Sequence, residues 1–173
     1  MGSISTDKHW FAASTKPKQE KAIRDKLNEI GIENFIPTKV VVRQWKYRKQ
    51  KVELPVIPHL VFVRTDFATS FSLLNDYGIQ MKYIKSYETR TSLVIPDWQM
   101  ENFMRVVNSK NASLCFEPSQ MHKGDKVRVV AGPFIGLEGE LIDFSGKKKV
   151  IVDLKGVVAV TFDITEGDLE KIL

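Results

Sequence analysis

Residues 124–141 read GDKVRVVAGPFIGLEGEL, and their pattern is the strongest structural signal in the chain. A Gly-Asp turn leads into an alternating valine strand, and Gly132-Pro133 then reverses the chain. Gly136 and Gly139 lie three residues apart and precede a second strand. Because glycine permits backbone angles and close approaches that other residues resist, this arrangement predicts a compact strand-turn-strand unit.

The unit resembles the KOW motif, which occurs in small β-barrels of transcription elongation factors and ribosomal proteins. Taken alone, the segment also fits a generic hairpin of any small barrel. From residue 121 onward the patterns predict strands only, at 126–131, 137–144, 148–154, 157–163 and 169–173. The resemblance implies RNA, the ribosome or RNA polymerase as the partner.

The N-terminal half predicts the order β-α-β-β-β-α-β-α, in which helices pack on a mostly antiparallel sheet. Ser14 or Thr15 is expected to cap the first helix, and Thr69 or Ser70 the second. The predicted strands are 9–14, 35–43, 51–54, 60–65, 82–87 and 93–95. The apolar faces of the first and last helices are predicted to carry Ala22, Ile23, Leu27 and Ile30, and Met100, Phe103, Met104 and Val107.

A polar break around residues 109–120, with Pro118 inside it, predicts a linker. The predicted organisation is a domain at 8–112, a linker at 113–120 and a barrel domain at 121–173. Residues 1–112 carry 18 Lys and Arg against 11 Asp and Glu, whereas residues 121–173 carry 8 against 9. A polyanion is therefore expected to meet the N-terminal half, unless the excess serves only solubility.

Several classes of function lack their sequence signals. Cys115 is the only cysteine, the three histidines are scattered, and no phosphate loop, nucleophile elbow or dinucleotide fingerprint occurs. We therefore predict no catalytic residue, cofactor or metal site, and no enzyme. No run of 18 apolar residues occurs, so no segment is predicted to span a membrane. We further predict a cytoplasmic monomer without membrane contact.

Nearly the whole chain is similar to NusG-family transcription elongation factors. The similarity rests on Trp10-Phe11, Phe35-Ile36-Pro37, the strand at 58–63 and the KOW motif after a linker. Residues 31–37 and 60–64 resemble specialised paralogues of the RfaH and UpxY type. The implied fold is α+β: an N-terminal NGN domain with helices on an antiparallel sheet, then a small SH3-like KOW β-barrel.

The resemblance implies a non-enzymatic factor that binds RNA polymerase and promotes processive elongation or antitermination of a specific, polysaccharide-type operon. In the family, an apolar depression of the NGN domain binds the clamp helices of the polymerase β′ subunit. The matching positions here are Trp10, Phe11, Ser14, Pro58, Leu60 and Phe62. Housekeeping members carry Pro-Gly-Tyr in place of Pro58-His59-Leu60, and often a tyrosine in place of Ser14. Because neighbours in a strand face opposite sides, at least one of the three aromatic residues is expected in the core.

Three further contacts follow from the same resemblance. Thr69 and Ser70 match a patch that touches the gate loop of the polymerase β subunit, although helix capping explains them equally well. Residues 39–51 contain six Lys and Arg and no acidic residue, and match the segment that faces upstream or non-template DNA. The predicted nucleic-acid contacts are Arg43, Trp45, Lys46, Tyr47, Arg48 and Lys49. The predicted KOW contacts with Rho or a small-subunit ribosomal protein are Leu154, Gly156, Val157 and Val158, for which hairpin packing is the alternative.

Two rival functions remain open at this point. One is a housekeeping NusG-like elongation or termination factor. The other is an RNA- or ribosome-binding KOW module without affinity for polymerase, although the slight acidic excess of residues 121–173 disfavours direct RNA binding there.

Overall fold

The computed structural model describes residues 6–109, 115–118, 124–144, 147–154, 157–164 and 166–172. The chain divides into two compact units, Met1–Pro96 and Asp97–Leu173. In the first unit the strands are His9–Thr15 (β1), Glu33–Phe35 (β2), Thr38–Gln44 (β3), Lys49–Pro55 (β4), Leu60–Thr65 (β5), Met81–Tyr83 (β6) and Val94–Ile95 (β7). Its helices are Glu20–Glu29 (α1) and Phe67–Asn75 (α2).

The main sheet of the first unit is antiparallel and runs β2-β5-β1-β6, with β7 also paired to β1. Strand β5 has the predicted bounds, and β1 extends one residue beyond its prediction. On the side of α1 and α2, Phe11 and Val61 belong to a buried cluster with Ile23, Leu27 and Leu73. The predicted helix face is therefore confirmed at its centre, but Ala22 is exposed.

Both predicted helix caps are wrong. Thr15 remains in β1, where it pairs with Met81 of β6, and α1 begins only at Glu20. Helix α2 is capped by Asp66, whose Oδ1 accepts the Thr69 N–H at 2.8 Å. Hydrogen bonds from the Thr69 backbone N–H and then from its hydroxyl lower the pKa of the Asp66 carboxyl, so the cap is a charged one.

The strand predicted at 35–43 is divided into β2 and β3 by Ile36-Pro37, both buried. Proline has no N–H for the ladder, so the chain leaves the main sheet at this point. Strands β3 and β4 then form a separate two-stranded sheet, in register from Thr38↔Pro55 to Gln44↔Lys49. This hairpin carries the predicted basic segment.

The described residues of the second unit form one α-helix, a short 3-10 helix at Glu166–Asp168 and a six-stranded antiparallel sheet. The helix is Asp97–Val107 (α3), and the strands are Cys115–Pro118 (β8), Asp125–Val129 (β9), Glu138–Phe144 (β10), Lys147–Leu154 (β11), Val158–Asp163 (β12) and Leu169–Lys171 (β13). The sheet order is β13-β9-β10-β11-β12-β8. All five predicted barrel strands are present, with shifts of a few residues at their ends.

The glycines of residues 124–141 have the roles that their spacing predicted. Gly132 and Gly136 adopt left-handed φ values of 83° and 84° in the turn between β9 and β10. Gly139 has a different role, since a Cβ there would overlap the carbonyl oxygen of Ile151 on β11. The close packing of β10 against β11 therefore requires glycine at this position.

Helix α3 lies in the same unit as the barrel, whereas the predicted boundary assigned it to residues 8–112. It packs against β11 and β12, and its Arg105 guanidinium donates to the carbonyls of Ile135 (2.8 Å) and Pro133 (3.0 Å). Its buried residues are Met100, Phe103 and Val106, close to the predicted stripe. Within the predicted linker, residues 115–118 form β8 and pair with β12, and its other residues, 113–114 and 119–120, lie outside the described residues.

Candidate functional site

Most of the predicted clamp-binding residues lie on one face of the main sheet. In the antiparallel register of β1 and β5, Ser14 lies opposite Leu60 and Trp10 opposite Arg64. Directly opposed residues share a face, so Trp10, Ser14, Leu60 and Phe62 lie together. Phe11, which was predicted with them, lies on the opposite face and packs in the core beside α1 and α2, as expected for at least one of the three aromatic residues.

The members of this sheet face differ in accessibility. Trp10, Leu60 and Phe62 are 3%, 6% and 0% exposed, whereas Ser14 and Pro58 are exposed. A partner can therefore reach the edge formed by Ser14 and Pro58 in this conformation, and can reach Trp10 or Phe62 only after they are uncovered.

Sequence reasoning missed Phe35 as a member of this face. Phe35 pairs with Phe62 across β2 and β5, with ring centroids 6.4 Å apart, and is half-buried. Its position could have been predicted only from the pairing of β2 with β5, which no local pattern indicates.

The two predicted hydroxyls on α2 already have partners. The Thr69 hydroxyl donates to Asp66 Oδ2 at 2.7 Å, and the Ser70 hydroxyl donates to the Phe67 carbonyl at 2.6 Å. Thr69 is half-buried and Ser70 is 2% exposed. Ser70 is thus inaccessible to a partner in this conformation, and both residues take part in the first turn of the helix.

The tip of the β3–β4 hairpin is a two-residue turn. Trp45 and Arg48 exchange backbone hydrogen bonds, from the Trp45 N–H at 2.8 Å and from the Arg48 N–H at 3.3 Å. Lys46 and Tyr47 occupy the turn itself, with the Lys46 ammonium 5.5 Å from the Tyr47 ring centroid. Trp45 is 56% and Tyr47 88% exposed, so both rings project from the tip.

Cationic side chains cover both faces of this hairpin. All six are exposed, and none forms an ion pair with another described residue: Lys39, Arg43, Lys46, Arg48, Lys49 and Lys51. Alternation along β3 and β4 places Lys39 and Arg43 on one face and Lys49 and Lys51 on the other. The hairpin therefore carries positive charge on both of its faces.

The nearest carboxylate on the hairpin, Glu53, is held at the base. Its Oε1 accepts from the Thr38 hydroxyl at 2.7 Å and from Arg24 of α1 at 2.8 Å. The hydrogen bond from Thr38, followed by that from Arg24, lowers the pKa of the Glu53 carboxyl below its ordinary value of 4.5. Glu53 is thus paired to α1 and leaves the positive potential of the tip intact.

The residues of the predicted KOW contact differ in their accessibility. Leu154 and Val158 face each other across β11 and β12 and are 0% and 4% exposed, so a partner cannot reach them in this conformation. Val157 is half-buried and accessible in part. Gly156 lies outside the described residues.

The described residues contain no group of three or more His, Cys, Asp or Glu side chains placed to hold a metal ion. In the same part of the chain, no helix has the length and hydropathy of a membrane-spanning segment.

The chain matches two family descriptions. Residues 8–104 match NusG, described as transcription termination factor nusG, and this region covers more than half of the chain. The chain belongs to the NusG family. Residues 123–153 match the KOW motif, which confirms the barrel resemblance. A comparison with curated proteins found no match.

Membership of the NusG family fixes the broad class of function. The N-terminal NusG domain and the C-terminal KOW domain confirm the predicted α+β fold and indicate a transcription elongation or antitermination factor. Such domains belong to non-enzymatic proteins that associate with RNA polymerase.

Proposed function

We propose that this NusG-family protein binds the elongating RNA polymerase and promotes processive transcription, as an antiterminator of a specific, polysaccharide-type operon. The proposal follows the resemblance to RfaH- and UpxY-type paralogues. The observation that supports it most directly is the β3–β4 hairpin, whose exposed cations and aromatic tip suit a nucleic acid on the polymerase surface.

The chemistry of the hairpin fits unpaired nucleic acid. Lysine and arginine attract phosphates in any sequence, while exposed aromatic rings stack on bases for about 1–3 kcal/mol each. The alternative, a solvated loop whose rings pack back on the sheet, fits poorly with Tyr47 at 88% exposure. Upstream DNA or the displaced non-template strand is the proposed ligand.

The polymerase contact is proposed on the sheet face that carries Ser14, Pro58 and Leu60. Its exposed edge would meet the β′ clamp helices first, and Trp10 and Phe62 would join the contact once uncovered. Thr69 on α2 is a proposed second contact, with the β gate loop. A factor that spans both sides of the polymerase cleft would favour the processive state, because a ligand shifts a conformational equilibrium by its preference for one state.

The KOW barrel is proposed to recruit a second partner, either Rho or a small-subunit ribosomal protein. Among the described members of the predicted contact, Val157 is accessible in part, while Leu154 and Val158 are buried.

The hairpin proposal is tested by replacing Arg43, Lys46, Arg48 and Lys49 together with glutamine. Binding to a transcription bubble should weaken, and the slope of log K against log salt should fall by about 3, since each phosphate contact contributes roughly 0.7–0.9. Affinity for an isolated β′ clamp-helix fragment should stay unchanged. Equal bubble affinity and an equal slope in the variant would show that the hairpin is not the nucleic-acid contact.

A matched control removes the same charge elsewhere. Lys8, Lys85, Arg90 and Lys147 are exposed and lie outside the hairpin. Their replacement by glutamine should leave the bubble affinity and salt slope close to wild type. If both variants lose the same slope, overall net charge rather than the hairpin controls binding.

The clamp-helix contact is tested separately with Leu60→Asp, which places a charge in the proposed apolar contact. Clamp-helix binding should fall while bubble binding by the hairpin persists. Undiminished binding by a folded variant would place the polymerase contact elsewhere.

Two rival functions give different outcomes. An RNA- or ribosome-binding module would be captured by ribosomal subunits and not by RNA polymerase. A housekeeping factor would enhance termination or act on all templates, whereas the proposed antiterminator would increase read-through on one class of operon.

A further inference from the structure

The turn before β5 contains an unusual backbone conformation. His59 has φ of +63°, in the left-handed region that residues with a Cβ atom seldom occupy. Pro58 and Leu60 lie on either side of it, and both belong to the sheet face proposed to bind polymerase. The conformation of His59 therefore sets the direction in which this edge is presented.

Contacts from two elements hold this turn. The Glu20 carboxylate of α1 accepts the His59 backbone N–H at 2.8 Å through Oε1. The His59 carbonyl in turn accepts the Thr15 N–H of β1 at 3.0 Å. The backbone of His59 is thus fixed on both sides, from the helix and from the sheet.

Glu20 is unusual in its own right, because it is only 4% exposed. Burial of a carboxylate is unfavourable unless hydrogen bonds compensate for the lost water. Its place in the first turn of α1 helps, since the helix N-terminus stabilises negative charge. The preceding residue, Gln19, forms no side-chain cap for α1, and Glu20 is the acidic residue of the first helical turn.

The imidazole of His59 adds little to the pairing. Its Nδ1 lies 3.8 Å from Glu20 Oε1, and the side chain is 49% exposed. The short contact is the one to the backbone N–H, so Glu20 acts on the conformation of the turn rather than on the charge of the ring.

We infer that Glu20 is a positioning residue for polymerase binding, which holds His59 in the left-handed conformation and thereby orients Pro58 and Leu60. This inference rests on the proposed function, because it assumes that the sheet face is the polymerase contact. Glycine at position 59 would adopt the same angles without help. Glu20 should therefore matter when residue 59 is histidine and become dispensable when it is glycine.

The test is a double-mutant cycle of Glu20→Ala and His59→Gly in the full chain, read out by binding to the isolated β′ clamp-helix fragment. Glu20→Ala should weaken binding about tenfold in the histidine background, within the range measured for contacting residues. The same change in the His59→Gly background should weaken it less than about threefold. An equal loss in both backgrounds would overturn the inference, since it would reflect a general defect of α1.

Two controls separate the turn from fold stability. Glu29→Ala removes a carboxylate from the exposed end of the same helix and should bind like wild type. Glu20→Gln keeps an oxygen acceptor of the same shape and should retain most of the affinity. If Glu20→Ala does not fold, Glu20→Gln is the test by itself: retained affinity supports the role of the carboxylate oxygen as acceptor, and a large loss of affinity in a folded Glu20→Gln variant would contradict the inference.

An NMR measurement distinguishes failure of the inference from failure of the proposed function. The three-bond coupling between the amide and α protons of His59 reports φ directly in the free protein. Glu20→Ala should change this coupling whether or not the chain binds clamp helices. An unchanged coupling would overturn the role of Glu20, whereas a changed coupling with no clamp binding by wild type would refute only the proposed polymerase contact.

Discussion

Replacement of Gly139 by alanine should destabilise the barrel unit strongly. A Cβ at this position would overlap the Ile151 carbonyl oxygen and lie 2.7 Å from Val150 Cγ1. The overlapped atom belongs to the backbone of β11, so relief requires separation of β10 from β11 rather than rotation of a side chain. Overpacking of this kind costs about 1–3 kcal/mol.

The expected change is large enough for a thermal-unfolding experiment. For a domain of 60–100 residues, about 1 kcal/mol lowers Tm by roughly 4–8 °C. A loss of about 2 kcal/mol should therefore lower Tm of the barrel transition by roughly 8–16 °C. Calorimetry of the full chain measures this transition directly.

Two other glycines supply matched controls. No described atom lies within 4 Å of a Cβ placed at Gly167, which also lacks a left-handed φ, so Gly167→Ala should be neutral or slightly stabilising. Gly136 has equal space but φ of 84°, so Gly136→Ala should cost about 1–2 kcal/mol. If Gly139→Ala melts at the same temperature as Gly167→Ala, the close approach of the strands does not restrict this position and the reasoning is refuted.

Three further outcomes are expected. Tyr83→Phe should cost about 1 kcal/mol, because the buried Tyr83 hydroxyl donates to the Ser70 carbonyl at 3.0 Å, while Tyr77→Phe at an exposed site should change Tm little. Asp66→Asn should lower Tm at neutral pH. Folding lowers the Asp66 pKa from 3.8, so the charged carboxylate stabilises the fold above pH 3.8. The difference in Tm between variant and wild type should vanish as the pH falls through the pKa of the folded state. A fragment of residues 97–173 should melt above one of residues 121–173, which lacks α3 and β8, and the reverse order would contradict the assignment of α3 to the barrel unit.

The barrel strands could be predicted closely because their signals are local. Valine alternation marks β9, and glycines at positions 132 and 136 mark the turn. Strand β5 was predicted with the bounds that the structure has. Because its residues are buried on both faces, its sequence lacks the alternation that would show which face each side chain takes. Alternation along β1 was sufficient to predict that Phe11 and Trp10 lie on opposite faces of the sheet, but not to predict that both are buried.

Features that depend on distant contacts could not be predicted. The periodicity of α3 predicts an amphipathic helix without indicating the sheet on which it packs. Glu20 and His59 are far apart in sequence and share no local pattern, so their contact is known only from the fold. The cap of α2 was misassigned for a different reason, since Asp66 and Thr69 are both good capping residues and only the observed helix start separates them.

The two proposed surfaces should respond to salt in different ways, and this difference allows their contributions to a whole elongation complex to be separated. The proposed hairpin contact uses exposed cations, so counterion release should make its affinity fall steeply with salt. The proposed contact of the sheet face uses apolar residues such as Leu60, and apolar burial is not weakened by screening. The variant with glutamine at Arg43, Lys46, Arg48 and Lys49 should therefore bind the complex with a shallow salt dependence, and Leu60→Asp should bind weakly with a steep one. If both variants kept the wild-type slope, the salt-dependent contact would lie outside both surfaces.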